Sequence, residues 1–210
     1  MPLTSEVKSL AMTLIEGAIK TIINADELFD EARLLADAGH FARAVLLHQI
    51  SLEECGKAEL LHVSLSEVLR GQSVDLKQLS KVLAKHAAKN KTNAYFLPKS
   101  EAEVSAGEQS DLKNASLYVD FDGMFKAPSE VITKEHIAEV LDRNGQLMSI
   151  AMDRLRLVTR WSTDLDAAAG EVATLWAELS MDTLDRNKPE TFEALSKRLE
   201  GMFAALEKKT

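Results

Sequence analysis

The chain has 210 residues with a net charge of −8 and a pI near 5.2. That balance argues against a protein coated in basic charge for non-specific duplex binding, while leaving room for a small basic pocket. With 46% hydrophobic and only 5% aromatic residues, many of them Leu and Ala beside abundant Glu, the composition favours helices and is enough for one substantial core.

Taken in chain order, apolar residues at Leu10, Leu14, Ala18, Ile22, Ala25, Phe29, Ala32 and Leu35 recur three or four apart. They predict one long helix from Ser5 to Ala38, ended by Gly39. A second helix is expected from about His40 to Arg70, stopping at Gly71, and the tight link makes the two pack antiparallel. Asp75 is an N-cap for a third helix through Leu76, Leu79, Val82 and Leu83 to about Asn90, with Lys85, His86 and Lys89 at its far end. Beyond Pro98, the small, acidic and aperiodic stretch Ser100 to Ser110 reads as an exposed loop. The punctuated segment from Lys113 to Pro128 reads as a turn or short helix clamped onto the bundle by Tyr118, Val119 and Phe121. Thr133 opens a fourth long helix with Ile137, Val140, Leu141, Leu147, Ile150, Leu155 and Val158 inside. Its arginines Arg154, Arg156 and Arg160 gather in the last turns, where the helix dipole favours positive charge. A fifth helix is expected over about Asp166 to Met181, and a sixth opens at Pro189, a first-turn position that proline tolerates. The chain is therefore expected to be all-α: a helical bundle over residues 1–165, with residues 166–210 forming a C-terminal helical hairpin packed on the same domain.

The single Cys55 excludes an intramolecular disulfide and a cysteine metal site, and points to a reducing compartment. Its mid-helix position suits a small buried apolar group better than a reactive thiol. Glu6, Lys8 and Glu16 interrupt any signal-peptide core, and no stretch approaches the roughly 20 apolar residues of a membrane helix. A cytoplasmic protein without membrane contact is expected.

The residues that stand out chemically are on helix two. Glu53 and Glu54 lie four and three positions before Lys57, the spacings at which side chains meet on a helix. They sit among apolar Ile50, Leu52, Leu60 and Leu61, with Gly56 between them and room there for a second helix to come close. The group is either a satisfied ion pair or a site. His86 and Lys89 share a face one turn apart, with Lys85 and Lys91 nearby. Such a cationic turn beside an imidazole is suited to binding phosphate and moving a proton, and equally to decorating a helix C-terminus. Glu59 and His62 have the Glu-x-x-His spacing of di-iron bundles, but no second copy occurs, so no di-metal site is expected. Arg43 and His48 have four residues between them. Glycine-rich dinucleotide loops, phosphate loops and nucleophile elbows are absent, and no cofactor is expected.

Three elements in order resemble the AbiV family of bacterial abortive-infection proteins, part of the wider HEPN helical-bundle superfamily. They are Ser51-Leu-Glu-Glu-Cys-Gly-Lys-Ala58, His86-Ala-Ala-Lys89, and Leu117-Tyr-Val-Asp120 ahead of Pro128. The resemblance spans roughly residues 10 to 160 and implies a HEPN-like antiparallel bundle with a phage-defence role. It implies a homodimer that binds RNA or a nucleotide, a phage-encoded protein as trigger, and a block on host translation. HEPN proteins are often metal-independent ribonucleases carrying an Arg, four to six residues and a His at the start of the last bundle helix. Around Thr133 to His136 this chain has no such pair, and Arg43 with His48 lies on helix two instead. The positions carried over are Glu53, Glu54, Lys57, His86, Lys89, Lys113, Tyr118 and Asp120, expected to converge as one polar network. In a nuclease His86 would take the 2′-hydroxyl proton, Lys57, Lys89 or Lys113 would hold phosphate charge, and Tyr118 would position the substrate. In the alternative, a non-enzymatic protein that binds a phage product or host factor, the same cluster is purely structural.

Overall fold

The computed structural model describes residues 2–93 and 99–179, and over them the chain is an all-α bundle of antiparallel helices, as expected. Helix α1 (Ser5–Asp37) starts where Thr4 Oγ1 accepts from the Val7 amide. It ends at Gly39, whose φ of 79° admits the left-handed turn in which the His40 amide bonds the Leu35 carbonyl. That turn folds α2 (Phe41–Leu69) back along α1, and these two helices share the most extensive interface of the bundle. Gly71, also at φ 79°, repeats the device at the far end of α2.

Helix α7 (Lys134–Trp161) lies along α1 and α2 and completes the core. One apolar cluster joins Leu14, Ile15 and Ala18 of α1 to Leu61, Leu65 and Val68 of α2 and to Val158 and Trp161 of α7. Leu165, Ala168 and Val172 of α8 (Leu165–Leu179) enter the same cluster. Asp166 then ties α8 to the start of the chain, accepting from the Leu3 amide at 2.7 Å and from Lys8 Nζ at 2.6 Å. The first helix expected after residue 165 thus packs on the bundle, whereas the helix expected from Pro189 lies outside the described residues.

Four sequence expectations need correction. The third helix is two short ones, α3 (Leu76–Leu83) and α4 (His86–Asn93), with a break at Ala84 and Lys85. Lys77, Lys81, Lys85 and Lys89 would stack like charges at every fourth position of an unbroken helix, which weakens it. The break also frees His86 and Lys89 to turn toward the middle of α2. Ser100 to Ser110 is not a loop but part of α5 (Lys99–Leu117). Its buried face consists of small and polar residues, Ser105, Ala106, Gln109 and Ser116, and so carries no apolar periodicity to read. The segment after it is not clamped to the bundle. It forms a hairpin of β1 (Asp120–Phe121) and β2 (Phe125–Lys126), followed by the one-turn α6 (Pro128–Val131). Tyr118, Val119 and Phe121 are exposed there. Ile150, expected inside α7, is also exposed.

Two histidines are core residues. His48 is fully buried on α2, its Nδ1 accepting from Asn144 Nδ2 of α7 at 3.0 Å while its ring meets Phe29 edge-on. Arg43, five positions earlier, is exposed on another face, so the two do not form a catalytic pair. His62 stacks on Trp161 at 5.3 Å between centroids. Burial first, then nearby arginine charge, pushes each imidazole down to about 4. An unfolded histidine takes up its proton near pH 6.5 and these cannot until about pH 4. Stability therefore falls as pH drops from 6.5 toward 4, by up to about 1.4 kcal/mol per pH unit for each histidine. Urea unfolding at pH 7 and pH 5 should give a lower midpoint at pH 5, and His62→Phe should shrink that difference by about half. An unchanged difference in the variant would show that His62 titrates normally in the fold.

Candidate functional site

The centre of the site is a carboxylate where an apolar residue would be expected. Glu53 sits halfway along α2, on the face turned to α4 and α5, and is 3% exposed. Leu52 and Cys55 on either side of it are buried in the core, so the helix cannot rotate to put Glu53 in water. The charge is met by three groups from two other helices. Lys113 Nζ of α5 lies 2.8 Å from Oε1, and His86 Nδ1 and Lys89 Nζ of α4 lie 2.6 and 3.3 Å from Oε2. Lys113 Nζ is also 3.4 Å from His86 Nδ1.

Burial opposes ionisation of Glu53, but the hydrogen bonds from Lys113 and His86 and the charges of Lys113 and Lys89 outweigh it. The carboxyl is held below its ordinary range and stays charged. The three partners differ in access: Lys89 is buried with Glu53, Lys113 is partly covered, and the His86 side chain is 64% exposed. With Nδ1 against the carboxylate, the imidazole presents Nε2 to solvent. A carboxylate that orients a histidine whose other nitrogen is free is the arrangement of a proton-transfer dyad. One carboxylate against two ammonium groups leaves a net positive spot, suited to an anion.

Of the eight residues expected to converge, Glu53, His86, Lys89 and Lys113 do. The other four do not. Glu54 is rotated about 100° from its neighbour around the helix. There it bonds Lys57 at 3.3 Å and accepts from Asn24 of α1, so this ion pair faces the α1 side. Tyr118 follows the last residue of α5 with its ring in solvent, and Asp120 accepts only from the adjacent Phe121 amide among the described residues. Glu59 pairs with Arg154 of α7. Cys55 is buried 3.3 Å from Met148 Sδ, and burial, with Glu54 charge, pushes its thiol up to about 12.

A second polar group was not singled out by sequence: Asn144, with Ser51 and His48. Asn144 Oδ1 lies 3.4 Å from Ser51 Oγ, which itself donates to the Ala25 carbonyl at 2.7 Å. The signal was present, because Asn144 occupies the interior stripe Val140, Asn144, Met148 at spacings of four. Among the described residues, the buried atoms His48 Nε2, Gln49 Nε2 (one turn before Glu53), His62 Nδ1, Asn90 Oδ1 and Gln109 Oε1 have no hydrogen-bond partner.

Comparison with known proteins agrees with this architecture. An uncharacterized protein, y4gJ of Sinorhizobium fredii (strain NBRC 101917 / NGR234), is 34% identical over 114 residues, covering 44% of this chain and 59% of the relative. The chain thus spans about three fifths of the length of that relative. No solved structure matches the chain. Residues 13–149, which hold α2, α4, α5 and all four converging side chains, match the family model described as AbiV, of the HEPN class. The chain belongs to the AbiV family of HEPN-like proteins.

Proposed function

We propose that this protein is an abortive-infection effector that cleaves RNA at the Glu53 and His86 dyad and thereby blocks translation in the infected cell. The observation that carries this reading is the 2.6 Å contact between Glu53 and an imidazole that still faces solvent. With Nδ1–H donated to the carboxylate, Nε2 takes the proton from a ribose 2′-hydroxyl. The 2′-oxygen attacks the adjacent phosphorus, the bond from phosphorus to the 5′-oxygen breaks, that oxygen takes a proton from water, and the exposed His86 returns its proton to solvent. The products are a 2′,3′-cyclic phosphate and a 5′-hydroxyl. Lys113 faces the negative charge that builds on the phosphate, and Lys89 keeps Glu53 ionised.

A second reading, contact with a phage or host protein without catalysis, has its own observation. The hairpin carries Tyr118, Val119, Phe121, Met124 and Phe125, each 61–76% exposed, beside a bundle whose other large apolar residues are mostly covered. In that reading the Glu53 cluster only holds α4 and α5 to α2.

Two substitutions separate the readings. Incubating the protein with total RNA or tRNA should yield cyclic-phosphate ends, and His86→Ala should slow cleavage by about 10²–10⁴-fold, the range for losing a general base. Its imidazole is mostly in water, so stability should change by no more than about 1 kcal/mol. Equal cleavage by both proteins, or none by either, removes the nuclease reading. Glu53→Gln should destabilise by about 3 kcal/mol or more, because Lys89 is left buried without its counter-charge. The catalytic reading further expects its cleavage rate, measured below its unfolding temperature, to fall with that of His86→Ala. A folded Glu53→Gln protein with full cleavage would assign the cluster to structure alone.

A further inference from the structure

In a chain of net charge −8, the 25 residues between Asp75 and Glu101 contain six lysines and no acidic residue. Three of these lysines, Lys77, Lys81 and Lys85, are exposed and lead along α3 to His86. Their direction is fixed by packing. Leu79 and Leu83, with Val74 before them, seat α3 on the core cluster of α1, α2 and α8. Lys77 and Lys81 each lie two residues from Leu79, about 200° around the helix, so they point away from the bundle. No ion pair holds Lys77, Lys81 or Lys85 among the described residues. Among the described residues several other exposed cations have partners, Lys20 with Glu16, Arg156 with Asp153 and Arg160 with Glu171, and the exposed Arg43 and Lys134, which have no ion pair, stand singly rather than in a row.

Uncompensated like charges at every fourth position cost stability, and an acidic protein has carboxylates with which to neutralise them. We infer that Lys77, Lys81 and Lys85 form a docking track for the phosphate backbone of a single RNA strand, which they deliver to His86. Lys77 and Lys81 are about 6 Å apart along the axis of α3, the order of the step between phosphates on an extended strand, and Lys85 follows in the break just before His86. A single strand fits better than a duplex for two reasons. An unpaired ribose can turn its 2′-hydroxyl toward Nε2 of His86, and the track is narrow against an otherwise acidic surface. This inference rests on the RNA reading of the Glu53 and His86 site, but the track is distinct from that site.

The test measures binding and cleavage separately. A fluorescently labelled single-stranded RNA of about 15 nucleotides is titrated with the intact His86→Ala protein, which reads binding without turnover. The same titration uses His86→Ala carrying Lys77→Gln, Lys81→Gln and Lys85→Gln, and a version with the three lysines changed to Arg. Counterion release contributes about 0.7 per phosphate contact to the salt exponent on single strands. Three lost contacts should therefore lower that exponent by about 2. Between 50 and 200 mM salt, binding by the Gln variant should weaken about 20-fold less than binding by its parent, while the Arg variant keeps the parent's exponent. Because all three side chains are exposed and their mutual repulsion is removed, the thermal midpoint of the Gln variant should equal or slightly exceed that of its parent, and the Arg variant reports on the track even where it does not. An unchanged exponent in the Gln variant, or an Arg variant that loses it too, overturns the track. So does an absence of RNA binding by the parent. In each case cleavage by the wild-type protein with its His86→Ala control decides the nuclease reading independently.

Discussion

A buried carboxylate that cannot rotate into water organises this molecule. Glu53 is fixed on α2 by the apolar residues on either side of it, so its charge must be answered from outside the helix. The answer comes from Lys89 and His86 on α4 and Lys113 on α5. Neither helix has a large apolar face to hold it. Helix α4, His-Ala-Ala-Lys-Asn-Lys-Thr-Asn, has no apolar residue larger than alanine, and the buried face of α5 is mainly serine, alanine and glutamine, with partly buried Leu112 packed on the cluster around Val45 and Leu52. Breaking such a cluster from one side costs several kcal/mol, because the partners are left charged and half-desolvated. An apolar substitute of similar volume would hold the helices equally well without an ionised centre. Polar contacts in this position therefore need a reason beyond cohesion, and the exposed imidazole supplies one.

The remainder of the bundle isolates that centre rather than contributing to it. Helices α1, α2 and α7 are joined by leucine, isoleucine, valine and alanine. Two of the polar exceptions are paired across helices: Ser51 to the Ala25 carbonyl, and Asn144 to His48. His48 and His62 are kept neutral by burial, so neither competes with His86 as a proton acceptor with access to solvent. Cys55 is likewise silenced, its thiol buried against Met148. Near the middle of α2, His86 is the imidazole that combines a carboxylate partner with an open face among the described residues.

The long helices were legible because each carries its own instructions. Apolar residues three and four apart draw α1, α2 and α7, and Gly39 and Gly71 mark the turns with the φ values only glycine adopts easily. Helix α5 was not legible, since a face of Ser105, Ala106, Gln109 and Ser116 looks like a loop until its neighbours are known. The same limit applies to the site. Glu53 and Glu54 are chemically identical and adjacent, and nothing local says that one faces two lysines and the other faces Asn24. The approach of Lys113, 60 residues away, decides it. Tyr118 failed in the opposite sense: an aromatic beside Val119 and Phe121 reads as a buried clamp, yet a two-residue strand pair is too short to bring it back to the bundle.

The break between α3 and α4 links fold to chemistry. A single helix from Asp75 to Asn93 would keep all four lysines on one face, and Lys89 would share the exposure of Lys77 and Lys81. Ending α3 at Leu83 and restarting at His86 divides the row. Lys89 turns inward to the carboxylate, while Lys77, Lys81 and Lys85 stay outside. The same basic segment thus serves two electrostatic regimes. In the buried part, the attraction between Lys89 and Glu53 is barely screened and fixes geometry. On the surface, charge acts over about a Debye length, roughly 8 Å at physiological salt, and attracts a polyanion without ordering it. His86 stands at the junction of the two, held on one side by a desolvated carboxylate and open on the other to whatever the exposed lysines concentrate. A histidine at this position can be well oriented and still reachable, a pair of properties that neither a fully buried nor a fully exposed cluster would give it.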